Sequence, residues 1–427
     1  MCIGAQEMPN PDAGSSSSLL ISLSSSELST IDTALSEFSE LLAEYAHRLR
    51  RVHIHDFARS TNSVIWRALA GLGTDGLPLL EWADLRGGLL QHGTPTPLAN
   101  LLAGAPQLRS LHIGLGFTDR LGPVWDLGLQ WMSITDLQID SYDTEPNPLS
   151  TINKIATSCP ALSSLSLYFS MMEYVASRHK NPSSVPIQFT HLRSLDIRAR
   201  SYISEGDASL SQHLSMFSAL KTPALKQLNV DAYPSFSEKD FSYVGPTMPF
   251  HSMILQSGCQ IERLEINHFL LGNLEALYRS LDLLPSLASL KIINHHEWCG
   301  YMPEIGDATP HMVSLLRVLS SPAKPGYPDI EELTLEMCAV EYAEGIFTSA
   351  AALPKLKRLS VEFGTTNGTV ESTMRALESD RMRKAVSDLR DGKNVQVICK
   401  WQASRSRTIE TYDIAYAGIS GGEYGFI

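Results

Sequence analysis

One six-residue pattern, apolar-x-x-apolar-x-apolar, returns eleven times along the chain, and no other feature limits its folding so strongly. The copies begin at Leu49, Leu80, Leu108, Ile134, Leu162, Leu192, Leu225, Ile261, Leu287, Ile330 and Leu356. The clearest read Leu108-Arg-Ser-Leu111-His-Ile113, Leu192-Arg-Ser-Leu195-Asp-Ile197, Leu225-Lys-Gln-Leu228-Asn-Val230 and Leu356-Lys-Arg-Leu359-Ser-Val361. A segment with so few apolar positions cannot enclose a core by itself. Stacked on its neighbours it extends a common one, so the recurrence predicts a solenoid, whose extended surfaces serve binding.

Successive copies start 26 to 43 residues apart. The mean step is roughly 31, beyond the roughly 20 to 29 residues of a leucine-rich repeat. The excess predicts a helix in most units, with loops where the step lengthens. Leu274, Leu277, Leu281 and Leu284 recur at helical spacing before the ninth copy, as do Met312, Leu315, Leu316 and Leu319 before the tenth. Ile31, Leu35, Phe38, Leu42 and Tyr45 do so before the first. Proline follows at Ala105-Pro106, Cys159-Pro160, Leu284-Pro285 and Leu353-Pro354, where it stops a helix and launches the next strand. The predicted class is α/β, a leucine-rich-repeat-like solenoid with a curved parallel sheet, outer helices and irregular repeats of about 26–43 residues. The longest insertions fall at 231–260, with Pro234, Pro246 and Pro249, and at 294–329, with Pro303, Pro310, Pro322, Pro325 and Pro328.

The ends read differently. Residues 1–26 contain two serine runs and predict a disordered tail; the array itself occupies 27–366. A helix through Val370, Met374, Leu377, Ala385 and Leu389 and a strand at Val395, Val397 and Cys399 predict a cap over 367–402, followed by a loose tail over 403–427.

A net charge of -12 disfavours nucleic acid and anionic membrane as partners, because phosphates repel an acidic surface. No apolar run approaches the roughly 20 residues that span a bilayer. The first 26 residues carry no Lys or Arg, as a signal sequence would. Cys2, Cys159, Cys259, Cys299, Cys338 and Cys399 lie far apart without a CxxC pair, which reads as reduced thiols in a cytoplasmic or nuclear protein.

Alternation along each strand sends the residues between the leucines to the opposite, concave face. Its N-terminal part holds Arg51, His53, His55, Trp82, Arg86 and His112. The middle holds Asp136, Asp140, Tyr168, Asp196, Arg198, Asn229 and Asp231, and the far part Arg263, Glu265, Lys291, Glu332, Glu336, Arg358 and Glu362. Such side chains form either a plain solvated surface or a partner groove, cationic at one end and acidic in the middle. Trp82 and Tyr168 are the aromatic anchors of the second reading.

Strings with a catalytic look carry little. Gly71-Leu72-Gly73-Thr74-Asp75-Gly76 follows a helical stretch and precedes a strand, the reverse of a dinucleotide loop. Gly418-Ile419-Ser420-Gly421-Gly422 is too near the end for a nucleophile elbow, which needs a following helix and a downstream His. His295-His296-Glu297-Trp298-Cys299 has no second ligand pair at zinc spacing, and His53, His55 and Asp56 have no sequence-evident third ligand or nucleophile. The expectation is no catalytic residue, no metal and no cofactor.

The run Leu41-Leu42-Ala43-Glu44-Tyr45-Ala46-His47-Arg48-Leu49-Arg50-Arg51-Val52-His53-Ile54 resembles the segment that opens the repeat region of fungal F-box proteins with degenerate leucine-rich repeats. Leu77-Pro78-Leu79-Leu80-Glu81 and Pro106-Gln107-Leu108-Arg109-Ser110-Leu111 are similar in style, and the likeness extends over residues 20–400. It implies repeats that recruit a ubiquitin-ligase substrate. No Leu-Pro-x-Glu-like F-box opening precedes Leu41, so the ligase adaptor subunit is not expected to bind this chain directly. An incomplete gene product and a relative that lost ligase docking both fit. The expected function is a non-enzymatic interaction scaffold with a protein partner on the concave face. The alternatives are a repeat scaffold unrelated to ubiquitin ligation and an enzyme with an unrecognised site.

Overall fold

The computed structural model describes residues 18–22, 40, 44–56, 77–87, 102–115, 129–141, 148–171, 186–201, 214–233, 245–293, 309–321, 328–338, 340–364, 380–402 and 409–412. Outside them lie the glycine string at 71–76, the 295–299 cluster, the 418–422 string, most of the 294–329 insertion and most of the first expected helix. The side chains of His55 and Arg86 are likewise outside.

The backbone forms two compact units, Met1–Ser235 with Pro249–Cys259, and Phe236–Met248 with Gln260–Ile427. The array expected over 27–366 is distributed over both. The chain leaves the first unit and returns to it within the long 231–260 step, and the reason is local. A short helix, His251–Ser257, is tied back to the preceding coil: the Gln256 side-chain amide donates to the carbonyls of Ser218 and Leu220. Ser257 Oγ accepts from the Thr222 backbone N–H at 2.8 Å. Gly258, at φ 60°, ends this helix in the left-handed conformation that glycine adopts without penalty.

In the first unit the strands are β1 (Ser18–Ser22), β2 (Arg51–Asp56), β3 (Trp82–Gly87), β4 (Ser110–Leu115), β5 (Asp136–Ser141), β6 (Ser164–Met171), β7 (Ile187–Gln188), β8 (Ser194–Ser201), β9 (Leu220–Lys221) and β10 (Gln227–Tyr233). The sheet order is β1-β2-β3-β4-β5-β6-β8-β10, with every neighbouring pair parallel, while β7 and β9 pair separately. Within the 1–26 segment expected to lack structure, Ser18–Ser22 thus supplies a strand.

Two backbone devices repeat from coil to coil. In many of the copies the first residue donates its N–H three residues back: Leu80 to Leu77, Leu108 to Ala105, Ile134 to Trp131, Leu162 to Cys159, Leu225 to Thr222 and Leu287 to Leu284, each at 3.1 Å. These are tight turns. Pro106, Pro160 and Pro285 stand at their second position, where a fixed φ favours the turn. Then one carbonyl accepts two successive N–H groups of the next coil. Arg109 O takes Thr135 and Asp136, Thr135 O takes Ser163 and Ser164, and Ser163 O takes Arg193 and Ser194. A shared acceptor at these strand entries fixes the register before the ladder begins.

The apolar positions therefore stack directly. Leu111, Leu137, Leu165, Leu195 and Leu228 are register partners in one column, and Leu85, Ile113, Ile139, Leu167, Ile197 and Val230 form a second. All are buried. The second unit repeats the scheme with β11 (Arg263–Asn267), β12 (Ser289–Ile293), β13 (Glu332–Cys338), β14 (Arg358–Gly364) and β15 (Gln396–Gln402). Its columns are Leu264, Leu290, Leu333, Leu359 and Val397, and Ile266, Ile292, Leu335, Val361 and Cys399.

Helices come between the strands as the periodicity predicts. Among the described residues they are α1 (Pro148–Ser158), α2 (the His251–Ser257 helix), α3 (Leu274–Leu281), α4 (Thr309–Leu319), α5 (Ala343–Ala351) and α6 (Asp380–Lys393). On α3 the buried residues are Ala276, Leu277, Ser280 and Leu281, one helical stripe. Asn273 caps it, accepting from Ala276 N at 3.0 Å while its amide donates to Gly245 O at 2.7 Å. Helix α5 packs between α4 and α6, so neighbouring helices stack as their strands do. With α6 and β15, the expected cap joins the second unit's helices and ladder. Beyond it, Ile409–Tyr412 forms β16, antiparallel to β15, within the segment expected to be loose. The fold class is the expected one: α/β, with a long parallel sheet built from leucine-rich-repeat-like coils.

Candidate functional site: a polar ladder on the strands

Register that stacks leucines on one side of the sheet also stacks the intervening residues on the other. In the first unit these make three rows. Arg51, Trp82, Ser110, Asp136, Ser164, Ser194 and Gln227 form one; His53, Asp84, His112, Gln138, Ser166, Asp196 and Asn229 the next; His55, Arg86, Gly114, Asp140, Tyr168, Arg198 and Asp231 the third.

The centre of this face is a chain of alternating imidazoles and carboxylates. His53 Nε2 lies 3.4 Å from Asp84 Oδ2, His112 Nδ1 lies 3.0 Å from Asp84 Oδ1, and His112 Nε2 lies 2.8 Å from Asp140 Oδ2. Four strands, β2 to β5, are linked. A neutral imidazole has a single N–H donor, so only the protonated ring can donate from both nitrogens to the two carboxylate oxygens that face them. Burial pushes the His112 proton affinity down, but hydrogen bonds and charge from Asp140 and Asp84 outweigh it and hold His112 above its ordinary value. Asp84 is 2% exposed and His112 7%, against 18% for Asp140 and 29% for His53. The pair at the centre is thus cut off from solvent while both ends reach it. Gln138 Nε2 also donates to Asp140 Oδ1 at 3.2 Å.

A second cluster follows on β6 and β8. Arg198 donates to both oxygens of Asp196, with Nη2 at 2.8 Å from Oδ2, and Ser166 Oγ donates to the same oxygen at 3.1 Å. Burial opposes the Arg198 charge, yet Asp196 overcomes it, with Asp231 and Asp140 adding to the field. In the second unit Lys291 Nζ lies 3.1 Å from Glu265 and 2.9 Å from Glu336. Burial works against its charge too, and the two carboxylates raise its proton affinity above the ordinary lysine value.

The residues expected on this face take different positions. Arg51, Arg198 and Arg263 are exposed, and Asp136, Tyr168, Asp196 and Glu265 are half-buried. Trp82 is half-buried with its ring tilted 53° against His53 at a centroid distance of 5.9 Å. Thr135 Oγ1 donates to Asp136 at 2.8 Å. Asn229 is half-buried and Glu362 likewise, whereas Glu332 and Arg358 are exposed. His112 and Asp231 are buried, so solvation does not extend to the whole face. Arg86 is placed by backbone register alone.

Asp84, Gln138 and Ser166 are additions. Asp84 occupies the fifth position of the second copy, the position that His112 and Asp196 take in theirs, so the spacing that located those two also locates Asp84. Its burial had no sequence signal.

Among the described residues, no group of three or more His, Cys, Asp or Glu side chains is arranged to hold a metal ion. No described helix is long and apolar enough to cross a membrane. Cys159, Cys259, Cys338 and Cys399 are buried thiols. Burial pushes Cys159 and Cys399 up to about 12 and Cys259 up to about 11.

No protein-family model matches the chain, and no curated protein matches it. Among solved structures, it is similar to the leucine-rich repeat-containing protein LegL7 from Legionella pneumophila, at 13% identity and a TM-score of 0.37, covering 86% of this chain and 87% of that one. It is also similar to the yeast Rad7 and Elc1 complex, at 14% identity and a TM-score of 0.38, covering 83% and 80%. Likenesses at this level assign no role to any residue.

Proposed function

We propose that this chain is a non-enzymatic protein-interaction scaffold whose polar ladder receives a protein partner. The observation that carries the reading is the register itself. It gathers side chains from β2 to β10, far apart in sequence, into three adjacent rows with Trp82 and Tyr168 among the charges. Half-buried aromatics held by a rigid ladder present large contact area at little entropic cost, which is what interface anchors require. The His–Asp chain favours a structural over a catalytic role, because both ring nitrogens of His112 are committed to carboxylates.

The sequence resemblance supports the narrower reading of a substrate-recognition region like that of F-box ubiquitin-ligase receptors, working in the cytoplasm or nucleus without metal or cofactor. In that reading the ligase adaptor subunit does not bind this chain itself. A stand-alone scaffold outside ubiquitin ligation shares the same face. Affinity capture should recover partners with the wild type that are lost with the Trp82→Ala, Tyr168→Ala double variant. An unchanged partner set would contradict recognition at this face. Gel filtration of the purified chain with a recombinant adaptor subunit should show two separate species, and co-elution would contradict the adaptor statement.

A further inference from the structure

We propose that the strand-entry edge of the first unit is a second protein-binding surface, separate from the polar ladder, and that it receives an acidic amphipathic helix of a partner. Among the described residues four large apolar side chains are exposed: Tyr45, Leu79, Met132 and Leu255. Three of them fall at the turns that lead into β2, β3 and β5. Leu79 lies in the turn closed by Leu80 N–H on Leu77 O, and Met132 in the turn closed by Ile134 N–H on Trp131 O. Tyr45 directly precedes the turn closed by Leu49 N–H on Ala46 O. Because successive strands pair in register, these turns line one edge.

Turn geometry does not call for such side chains. The second turn position before β3, β4 and β6 is proline, at Pro78, Pro106 and Pro160, where a fixed φ suits it. Met132 takes that position before β5 and is 73% exposed, and Leu79 takes the third position before β3 at 40%. Single apolar side chains scattered on a surface are ordinary, whereas neighbouring ones on a rigid edge mark a contact.

Charge identifies the partner. The chain carries a net charge of -12, yet this edge presents arginines. Arg109 lies on the coil between those of Leu79 and Met132. Its Nη1 donates to Leu108 O at 3.3 Å and to Ser133 O at 3.5 Å, which holds the guanidinium beside the Met132 turn. Both bonds leave from Nη1, so Nε and Nη2 have donors to offer a carboxylate. Arg50, one coil before Leu79, pairs with Glu81 at 3.3 Å with both side chains half exposed, and such a surface pair exchanges readily for another carboxylate.

Spacing identifies its conformation. Coils repeat about every 4.8 Å, so Leu79 and Met132, two coils apart, are separated by roughly 10 Å along the edge. A helix carries residues seven apart at about 10.5 Å on one face, with the third and fourth positions between them. An extended chain covers the same distance in three residues, and its first and last side chains then point to opposite sides. The segment that fits is a helix with two apolar residues seven apart and Asp or Glu between them, over Arg109.

A fluorescein-labelled, alanine-based helical peptide of about 20 residues with leucine, glutamate and leucine at that spacing tests the surface. Anisotropy is followed as the full chain is added at about 0.15 M salt, which screens long-range attraction. Affinity should fall several-fold in Leu79→Ser and in Met132→Ser, and about tenfold in Arg109→Glu. A peptide with lysines in place of the glutamates should bind the wild type poorly and Arg109→Glu better. The Trp82→Ala, Tyr168→Ala variant should bind the glutamate peptide as the wild type does, which keeps this surface distinct from the ladder. The proposal is overturned if the wild type does not bind the glutamate peptide or binds the lysine peptide equally well. Binding that survives in Met132→Ser but is lost in the Trp82→Ala, Tyr168→Ala variant overturns it too. So does co-sedimentation of the wild type with phosphatidylserine vesicles that Arg109→Glu abolishes, which would assign the edge to lipid.

Discussion

Replacing His112 by leucine removes the charge that holds Asp84 while leaving most of the ring's volume filled. Breaking a buried ion pair by deleting one partner costs about 3–5 kcal/mol, because the remaining charge stays buried without its counterion. Here Asp84 keeps a longer approach from His53 at 3.4 Å, and Asp140 keeps the Gln138 amide at 3.2 Å and some solvent. Both lower the cost, so a loss of about 3 kcal/mol is expected near pH 6, at the low end of that range. The pH dependence has a definite sign. His112 is held above its unfolded value, so its contribution is complete below an ordinary histidine pKa of about 6.5 and fades as pH rises through the higher folded value. Urea unfolding followed by circular dichroism at pH 6 and pH 8.5 measures both quantities. The gap between wild type and His112→Leu should be largest at pH 6 and narrower at 8.5. Hydrogen exchange at the Leu111 and Ile113 amides assigns the loss to the first unit. A cost below about 1 kcal/mol at pH 6, or a gap that widens with pH, would refute a protonated ring between two carboxylates.

Other perturbations report on different parts of the molecule. Leu195→Ala opens the leucine column between Leu165 and Leu228 and should cost about 2–5 kcal/mol in the same urea assay. Asn273→Ala removes the α3 cap and its link to Gly245, for an expected loss of about 1 kcal/mol and faster exchange at the Ala276 amide. Iodoacetamide at pH 8 should leave Cys159, Cys259 and Cys399 unmodified in the folded chain and label them in urea, as peptide mass spectrometry would record.

What could be read from the sequence follows from what repeats. The pattern at Leu108, Leu162 and Leu287 encodes both the turn and the next strand, so strand positions and the parallel pairing were legible. Leu274 to Leu281 and Met312 to Leu319 were legible as helices because each presents one apolar stripe. The boundary between units was not, because it depends on Gln256 and Ser257 reaching carbonyl and amide groups more than thirty residues back. Strands β1 and β16 carry no repeat pattern and exist through pairing with neighbours that do. At the candidate site, spacing put His53, His112, Asp140 and Asp196 on one face. Their pairing was hidden, since alternation gives the direction of a side chain but not its tilt toward the next strand. His112 reaching across to Asp140, one row along, is such a tilt.

Adjacent coils in register should bring paired positions of neighbouring strands to about 4.8 Å, and positions two residues off to markedly more. Thiol bridging measures this directly. Cysteines introduced together at Ser194 and Gln227, partners on β8 and β10, should be joined by dibromobimane in the native chain, and so should cysteines at Ser289 and Glu332 on β12 and β13. Pairing Gln227 with Asp196, two residues off register, should give less product, and pairing it with Arg198, four residues off, little. Equal bridging of the matched and shifted pairs, or bridging of neither, would contradict the stacked ladder on which the polar face depends.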